Sequence, residues 1–320
     1  MSFSGILGQD SAVAVLRSAL AASRVAHAYL FTGIEGCGKR TAALAFIEAI
    51  FCGAAEGCGK CPSCRKLASH QHPDLHLVEP DGAFIKIDQI RELQRQLALR
   101  PYEAPRKGCI IEAADRLHPA AANALLKTLE EPPGNAVLVL LSANPAGVLP
   151  TIVSRCQQLR FSSLPQETVE QLVSTGDTDP EAARVAASLS EGSVAKAVEI
   201  LGGSALEERA RFIETVCSLS GNDVSRIFAF SEGFDKQKEK AAGMLDILKS
   251  FLRDVLLRLG GTPEIVNRDL APLVEQFAAR TSLDEVMEKI NMVTSVQQAL
   301  QRNVNPRLAM ETLIMRIAKS

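Results

Sequence analysis

The sequence predicts a parallel α/β domain followed by two helical domains. In residues 28–144, short apolar runs alternate with segments whose apolar residues recur at helical spacing. This alternation is typical of a parallel sheet with helices on both faces. From about Leu164 onwards strand patterns vanish and only helical patterns follow. We therefore expect an α/β domain at 1–163, a small helical domain at 164–204 and a C-terminal helical domain at 205–320.

The elements of the α/β domain are predicted from hydrophobic period and from breaking residues. Strands are expected at 28–31, 74–79, 84–87, 108–115 and 136–144. Helices are expected after a cap at Asp10, at 41–51, after a cap at Asp88, and at 119–131, where Pro132 and Pro133 stop the last one. Beyond Leu164, short helices are expected at 166–174, 180–190 and 193–201, with a hinge at 201–204.

Composition narrows the function classes. The formal net charge of the 320 residues is −2, so no strong overall field indicates a nucleic-acid partner. The N-terminus lacks the pattern of a secretory signal, and no apolar run approaches the roughly 20 residues of a membrane helix. The expectation is a cytoplasmic protein with no membrane partner.

The stretch "GIEGCGKRTA" follows the first predicted strand directly and matches a phosphate-binding loop at all but one position. Such a loop works because backbone N–H groups and a helix N-terminus face the phosphates while a lysine balances their charge. Here Gly33, Gly36 and Gly38 would allow close backbone approach, and Lys39 would supply the charge. The strand before it and the helix after it favour a phosphate-loop fold over a chance glycine-rich turn.

Two groups that hydrolysis requires are missing from this predicted site. The residue after the lysine normally gives a hydroxyl to Mg²⁺, but Arg40 stands there, and Thr41 points about 100° away on a helix. In the second motif, "CIIEAAD", Glu112 fills the first acidic position and Ala113 replaces the second. Without that second acid the attacking water has no activating group. Poor Mg²⁺ binding is expected, and the residues leave open whether ATP or ADP binds.

Four of the eight cysteines crowd into residues 52–64. In a reducing compartment, two overlapping C-x-x-C pairs with a fourth cysteine indicate a tetrahedral four-thiolate zinc site rather than disulfides. A site closed by four protein ligands is structural because no position is left for substrate. A metal-free cluster and an iron–sulfur centre are the alternatives. The predicted ligands are Cys52, Cys58, Cys61 and Cys64, which make the nearby His70, His72 and His76 unnecessary.

Several motifs occur in an order that resembles a known family. "HAYLFTG", "CGKCPSC", "HPDLHLVEP", "NALLKTLEEPPG" and "SRC" are similar to motifs of the clamp-loader AAA+ subunits of bacterial DNA polymerase III. The resemblance covers about the first 160 residues, and "NVNPRLAMETLIMRI" resembles the C-terminal collar domain of these subunits. It implies a P-loop AAA+ domain with an inserted zinc module at 52–64, a helical lid and a helical collar.

Within that family, four departures separate this chain from the gamma/tau motor subunits. Arg40 and Ala113 are two of them, and Ala195 is the third, because it stands where the motors' second sensor arginine would lie. The chain is also expected to stop where a tau subunit continues. Together they resemble a family member that does not turn over ATP.

The resemblance also assigns roles to residues that spacing alone would leave as ordinary surface groups. Arg155 in "SRC" corresponds to the arginine finger that acts on ATP bound by a neighbouring motor subunit. Asn144 matches a first-sensor position, and Gly8 and Gln9 match a stretch near the adenine. The helices of 205–320 would hold the ring of subunits together.

The resulting prediction is a stator subunit of a clamp loader that takes part in DNA replication. Its partners would be gamma/tau motors, a delta subunit, the sliding clamp indirectly, and primer–template DNA through the assembled complex. One alternative is an active motor ATPase. Another is a DNA-binding zinc module, although the knuckle carries Lys60, Arg65 and Lys66 without stacking aromatics.

Overall fold

A computed structural model describes the chain over residues 3–54, 56–132, 135–176, 178–220, 223–262, 265–302 and 304–318. It divides into two compact units, Met1–Leu172 with Glu191–Lys196, and Val173–Ser190 with Ala197–Ser320. These units do not coincide with the expected boundaries at 163/164 and 204/205, which stay a prediction.

The first unit contains a five-stranded, fully parallel sheet in the order β2-β3-β4-β1-β5. The strands are β1 (Ala28–Thr32), β2 (Leu75–Val78), β3 (Lys107–Ile111), β4 (Ala136–Ser142) and β5 (Gln157–Arg160). The helices that lie wholly in this unit are α1 (Asp10–Ala21), α2 (Lys39–Cys52), α3 (Pro62–Ala68), α4 (Ile87–Ala98), α5 (Pro119–Glu130) and α6 (Pro150–Val153).

Helices cover both faces of the sheet, as predicted. Successive residues of a strand point to opposite faces, so Tyr29 and Phe31 pack with α1 and α2 while Ala28 and Leu30 pack with α4 and α5. Because both faces are buried, the central strands are apolar except at their ends; every residue of β4, including its last residue Ser142, is buried.

Two further helices run across the division between the units, and the second unit is helical over its described residues. α7 (Gln166–Val173) and α9 (Val194–Gly202) are the crossing helices. The others are α8 (Pro180–Leu189), α10 (Ala205–Ser218), α11 (Val224–Glu232), α12 (Lys238–Leu259), α13 (Ala271–Ala278), α14 (Leu283–Gln301) and α15 (Pro306–Ile317).

A buried polar network reinforces the core of the second unit. The Arg209 guanidinium donates to Asp269 at 2.6 and 3.0 Å and to Asn267 Oδ1 at 2.7 Å. Asn267 in turn donates to the fully buried Asp254 from its backbone and its side chain, at 2.7 and 2.6 Å. A charge can be buried here because it is paired and hydrogen-bonded.

Some predicted local elements were wrong. Residues 84–87 form no strand but two isolated bridges, from Phe84 to Asp81 and from Ile85 to Leu117, and α4 already begins at Ile87. The helix caps are also displaced: Lys86 precedes α4 and Gln9 precedes α1, so Asp88 and Asp10 lie inside their first turns.

The edge strand β5 was not predicted. Its burial pattern shows one buried residue, Leu159, among exposed polar ones, which makes the hydrophobic signal of the strand weak. Pro132 lies beyond the end of α5, and Pro133 lies outside the described residues.

Candidate functional site

The glycine-rich loop lies between β1 and α2, as the motif predicts. Gly36 and Gly38 have φ angles of 74° and 98°, a region that L side chains avoid, and Gly38 is the N-cap residue directly before α2. No side chain caps this helix N-terminus, and its first residues, 39–41, line the loop cavity. The backbone therefore has the form of a phosphate cradle.

Lys39 is engaged with the loop itself. Its side chain is buried, and Nζ donates to the carbonyl oxygens of Gly33 and Ile34 at 2.7 and 2.6 Å. Burial lowers the pKa of Lys39, and Cys37, Glu35 and Asp115 oppose that effect. The ammonium is held over the loop, and a phosphate would have to compete with two carbonyl oxygens for it.

A cavity of about 870 Å³ opens beside the loop. Its walls include most of the predicted binding residues, namely Gly36, Gly38, Lys39, Arg40, Thr41 and Glu112, together with Ala113 and Ala195. Gly33 and Asn144 do not line it. Gly33 instead accepts a hydrogen bond from Lys39, and Asn144 is exposed at the turn after β4.

Arg40 occupies the position expected for a Mg²⁺-binding hydroxyl and pairs with two acids. Its Nη1 lies 2.9 Å from Glu112 Oε1 and 3.2 Å from Glu79 Oε1. Glu112 Oε1 is buried and accepts no hydrogen bond within the described residues, so the contact is an ion pair by distance. Burial raises the pKa of Glu112, whereas Arg40 acts to lower it.

These residues do not fit a magnesium ion. The first acid is already neutralised by a guanidinium, which brings a positive charge to the place where the cation would lie. The second acidic position, Ala113, has no carboxylate and adopts a φ of 48°, in the left-handed region. Asp115 lines the cavity too, but its Oδ1 accepts a hydrogen bond from Ser142 Oγ at 2.8 Å.

Ala195 lies directly against the phosphate loop. The Val194 N–H donates to Gly36 O at 3.1 Å, and a Cβ on Gly36 would come within 2.6 Å of Ala195 N. The position at which the resemblance places a second sensor thus carries a small uncharged residue in contact with the loop.

Gln9 lies beside the loop, Gly8 lies against Leu164 and Pro165, and neither residue lines the cavity. The buried Gln9 amide donates to Cys37 O at 3.0 Å and to Ser162 O at 2.7 Å, and accepts from Ser162 N at 3.1 Å. Of the N-terminal stretch, Gly5, Ile6 and Leu7 line the cavity instead. Gln9 therefore ties the N-terminal segment to the loop and to the chain after β5.

Glu79 and Ser142 also line the cavity, and the sequence motifs did not predict them. Both follow the rule that the carboxyl ends of parallel strands meet at one edge of the sheet, because Glu79 directly follows β2 and Ser142 ends β4. This rule could have identified Glu79 as a neighbour of Glu112.

Arg155 lies away from this cavity, in the turn between α6 and β5. Its Nη2 donates to Glu130 Oε1 at 2.6 Å and its Nη1 to Thr151 O at 2.9 Å. The side chain is 36% exposed. Arg155 is therefore partly exposed and is held by contacts with residues of its own chain.

The four predicted cysteine ligands converge. Their Sγ atoms all lie within 4.8 Å of one another, and the pairs Cys61–Cys64, Cys52–Cys61 and Cys58–Cys64 are 3.4, 3.8 and 3.9 Å apart. With Zn–S distances near 2.3 Å, tetrahedral geometry requires S–S distances of about 3.8 Å. The donor set thus fits zinc, and the grouping of described residues contains no histidine.

Local backbone geometry explains the convergence. Cys52 ends α2, Cys61 is the cap residue of α3 and Cys64 lies within α3, while the N–H groups of Cys61 and Cys64 point at the sulfurs three residues before them. N–H groups of Lys60 and Cys61 lower the pKa of Cys58 to about 6, whereas burial raises the pKa of Cys64.

The nearby histidines have other positions. His72 is buried against Phe51, with ring centroids 4.6 Å apart, and its Nδ1 accepts from Asp74 N at 3.2 Å. His70, His72 and His76 lie outside the grouping of the four thiols.

The fold and the loop define the class of protein. A parallel sheet with a glycine-rich loop between its first strand and the next helix, and an acid directly after β3, is a P-loop α/β domain. Family models described as "DNA polymerase III, delta subunit" and "DNA polymerase III, delta subunit, C terminal" match residues 8–165 and 204–319.

Similarity to whole proteins specifies the family further. DNA polymerase III subunit delta' of Bacillus subtilis is 35% identical over 96% of this chain and 95% of its own length. The chain belongs to the DNA polymerase III subunit delta' family, which confirms the resemblance inferred from its motifs.

More distant similarity extends to proteins named tau and gamma subunits. DNA polymerase III subunit tau of Bacillus subtilis is 27% identical over 99% of this chain and 62% of its own length. A solved DNA polymerase III gamma subunit-related protein from Thermotoga maritima has a TM-score of 0.49 at 20% identity, covering 95% of this chain and 98% of that one.

No helix among the described residues combines the length and the apolar character needed to span a membrane.

Proposed function

We propose that this protein is the non-hydrolysing stator of a bacterial clamp loader. It would assemble with gamma/tau motor subunits and a delta subunit, and it would complete the ATP site of a neighbouring motor. ATP in that site makes contacts across the interface in one arrangement of subunits only, and this coupling would drive loading of the sliding clamp on primed DNA.

The observation that carries the proposal is the ion pair between Arg40 and Glu112 next to Ala113. Phosphoryl transfer to water requires a metal that bridges the phosphates and a group that orients the water. In this cavity the acid is paired with a guanidinium, and the water-activating carboxylate is absent. The isolated chain should therefore show no ATPase activity above background, and measurable turnover would favour the motor alternative.

Arg155 is the residue proposed to act on the neighbouring ATP. It does not line the cavity of its own chain, and its partly exposed guanidinium would exchange Glu130 for a phosphate at Nη2 while Nη1 keeps its bond to Thr151 O. An exposed ion pair contributes about 0–1 kcal/mol, so this exchange is inexpensive.

The test is Arg155→Ala in a loader reconstituted with motor and delta subunits. Assembly should be intact, while hydrolysis at the one site that Arg155 completes should fall by ~10³-fold or more, which lowers DNA-stimulated ATPase activity of the complex. Arg91→Ala is the matched control, because Arg91 is an exposed arginine in an ion pair of the same compact unit and does not line the cavity. Equal activity of the two variants would remove the finger role.

We also propose that the four-cysteine cluster holds one structural zinc ion. Cys52, Cys58, Cys61 and Cys64 would be its ligands, and the metal would fix the chain between α2 and α3. Metal analysis should find about one zinc per chain. Cys61→Ser should lose it, whereas Cys217→Ser, in the other unit, should retain it; a folded but zinc-free wild type would contradict the assignment.

DNA contacts are proposed to occur through the assembled loader rather than through the cysteine module alone. Two of the three cations near the module are already engaged: Lys66 pairs with Glu103 at 2.5 Å, and Arg65 Nε donates to Lys60 O at 2.8 Å. Because Arg65 keeps its charge when it donates to a carbonyl oxygen, only Lys66 is neutralised, and the two remaining charges are few for binding a phosphate backbone.

A further inference from the structure

The acids at the edge of the cavity are placed by the sheet. Val78 at the end of β2 pairs with Ile111 at the end of β3, and the Glu112 N–H donates to Val78 O at 2.8 Å. Glu79 and Glu112 therefore leave adjacent strands side by side. Such a pair of carboxylates at the carboxyl edge of a parallel sheet offers oxygen ligands of the kind that divalent cations prefer.

Arg40 contacts both of these carboxylates. It lies in the first turn of α2, and a single nitrogen, Nη1, is within 3.2 Å of both carboxylates. Lys39 and Arg116 are the other cations of the wall; Lys39 is bonded to loop carbonyls, and within the described residues neither of them forms an ion pair with Glu79 or Glu112.

We infer that Arg40 is a tethered counter-ion that keeps divalent cations off the Glu79–Glu112 pair, and that its removal opens a divalent-cation site there. The inference deepens the proposed non-hydrolysing role of the same cavity. A cation supplied by the chain is present at every Mg²⁺ concentration, so this subunit's cavity does not respond to the metal on which its motor neighbours would depend.

The test uses the full-length, zinc-loaded chain and Mn²⁺ as the probe, with free Mn²⁺ measured by electron paramagnetic resonance. Wild type should show no Mn²⁺ site that depends on Glu112. Arg40→Ser should bind one Mn²⁺ at least tenfold more tightly than wild type, and the double variant Arg40→Ser, Glu112→Gln should lose that gain.

Two controls separate the site from general charge effects. Arg40→Lys keeps a positive charge and should bind Mn²⁺ as poorly as wild type. Arg95→Ser frees Glu92, the partner of an exposed ion pair outside the cavity, and should also gain nothing. Circular dichroism and zinc content report whether each variant is folded, and Arg40→Gln is the substitute if the serine variant is not.

Glu112-dependent Mn²⁺ binding by wild type would overturn the inference, and so would a folded Arg40→Ser or Arg40→Gln variant that binds no more tightly than wild type. Both results are independent of the Arg155 experiment, because neither involves a partner subunit or ATP turnover. Loss of the finger role would leave the Mn²⁺ result standing, and the reverse also holds.

Discussion

The contact between the phosphate loop and the segment at 193–195 gives the sharpest quantitative prediction, through Gly36→Ala. A methyl group at Gly36 would lie 2.5 Å from Ser193 Oγ, 2.6 Å from Ala195 N and 2.8 Å from Ala195 Cβ. The serine hydroxyl can rotate away, but the backbone nitrogen can move only with its segment. The substitution should therefore push residues 193–195 off the loop.

Two costs contribute, and a matched variant separates them. The φ of Gly36 is 74°, where an alanine costs roughly 1–2 kcal/mol. Gly82 has a φ of 76°, and a methyl group there would meet nothing within 4 Å, so Gly82→Ala carries the backbone cost alone. Overpacking adds about 1–3 kcal/mol at Gly36, which predicts a difference of roughly 5- to 150-fold in the local opening constant.

Hydrogen exchange at the Val194 amide measures this difference directly, because that N–H donates to Gly36 O. Its protection should fall in Gly36→Ala by the stated factor relative to Gly82→Ala, while amides of β4, remote from the contact, report that the sheet is intact. Exchange rates that agree within twofold between the two variants would refute the closure of this segment on the loop.

Two other predictions concern stability. Asp74 is buried and accepts backbone N–H groups of residues 102–104 at 2.6–2.8 Å; burial acts to raise its pKa, but these bonds outweigh burial and the pKa is lowered. The contribution of Asp74 to the free energy of unfolding is therefore complete above its unfolded pKa of about 3.9 and is lost as pH falls towards its folded pKa. Asp74→Ala should lower the free energy of unfolding by about 3–5 kcal/mol near pH 7 in urea unfolding. If the stability of wild type and variant fell equally with acid, the result would contradict this prediction. Ala113→Gly should raise the free energy of unfolding by about 0.5–1 kcal/mol in the same assay, because the φ of Ala113 is 48°. The control Ala14→Gly, on the exposed face of α1, should lower it by about 1 kcal/mol. Destabilisation by both substitutions would contradict the prediction.

Elements with strong local signals were predictable. The apolar runs that became β1, β3 and β4 are buried on both faces, and the loop between Gly33 and Lys39 has a motif that leaves few backbone alternatives. The strand expected at 84–87 was wrong. Phe84 and Ile85 are apolar, but each forms a single isolated bridge, and Ile87 already belongs to α4. A short apolar run does not distinguish a strand from the start of a helix.

The sequence identified most residues of the candidate site, but it did not predict which of them contact one another. Arg40 could be recognised as a departure from the motif, yet its ion pairs with Glu79 and Glu112 depend on the register of β2 against β3. Ala195 could be recognised as a missing sensor, but its position against Gly36 required the fold.

The sequence alone specifies the strand–loop–helix unit, the four converging cysteines and the family, because each depends on residues close together in the chain or on a fixed order of motifs. Tertiary structure decides which charges meet. Arg40, Glu79 and Glu112 are each separated from the next by more than thirty residues in the chain. Only parallel pairing of β2 with β3 beside the start of α2 brings both carboxylates within 3.2 Å of Arg40 Nη1. That arrangement makes the cavity of this subunit a site in which a guanidinium holds the place of a metal ion.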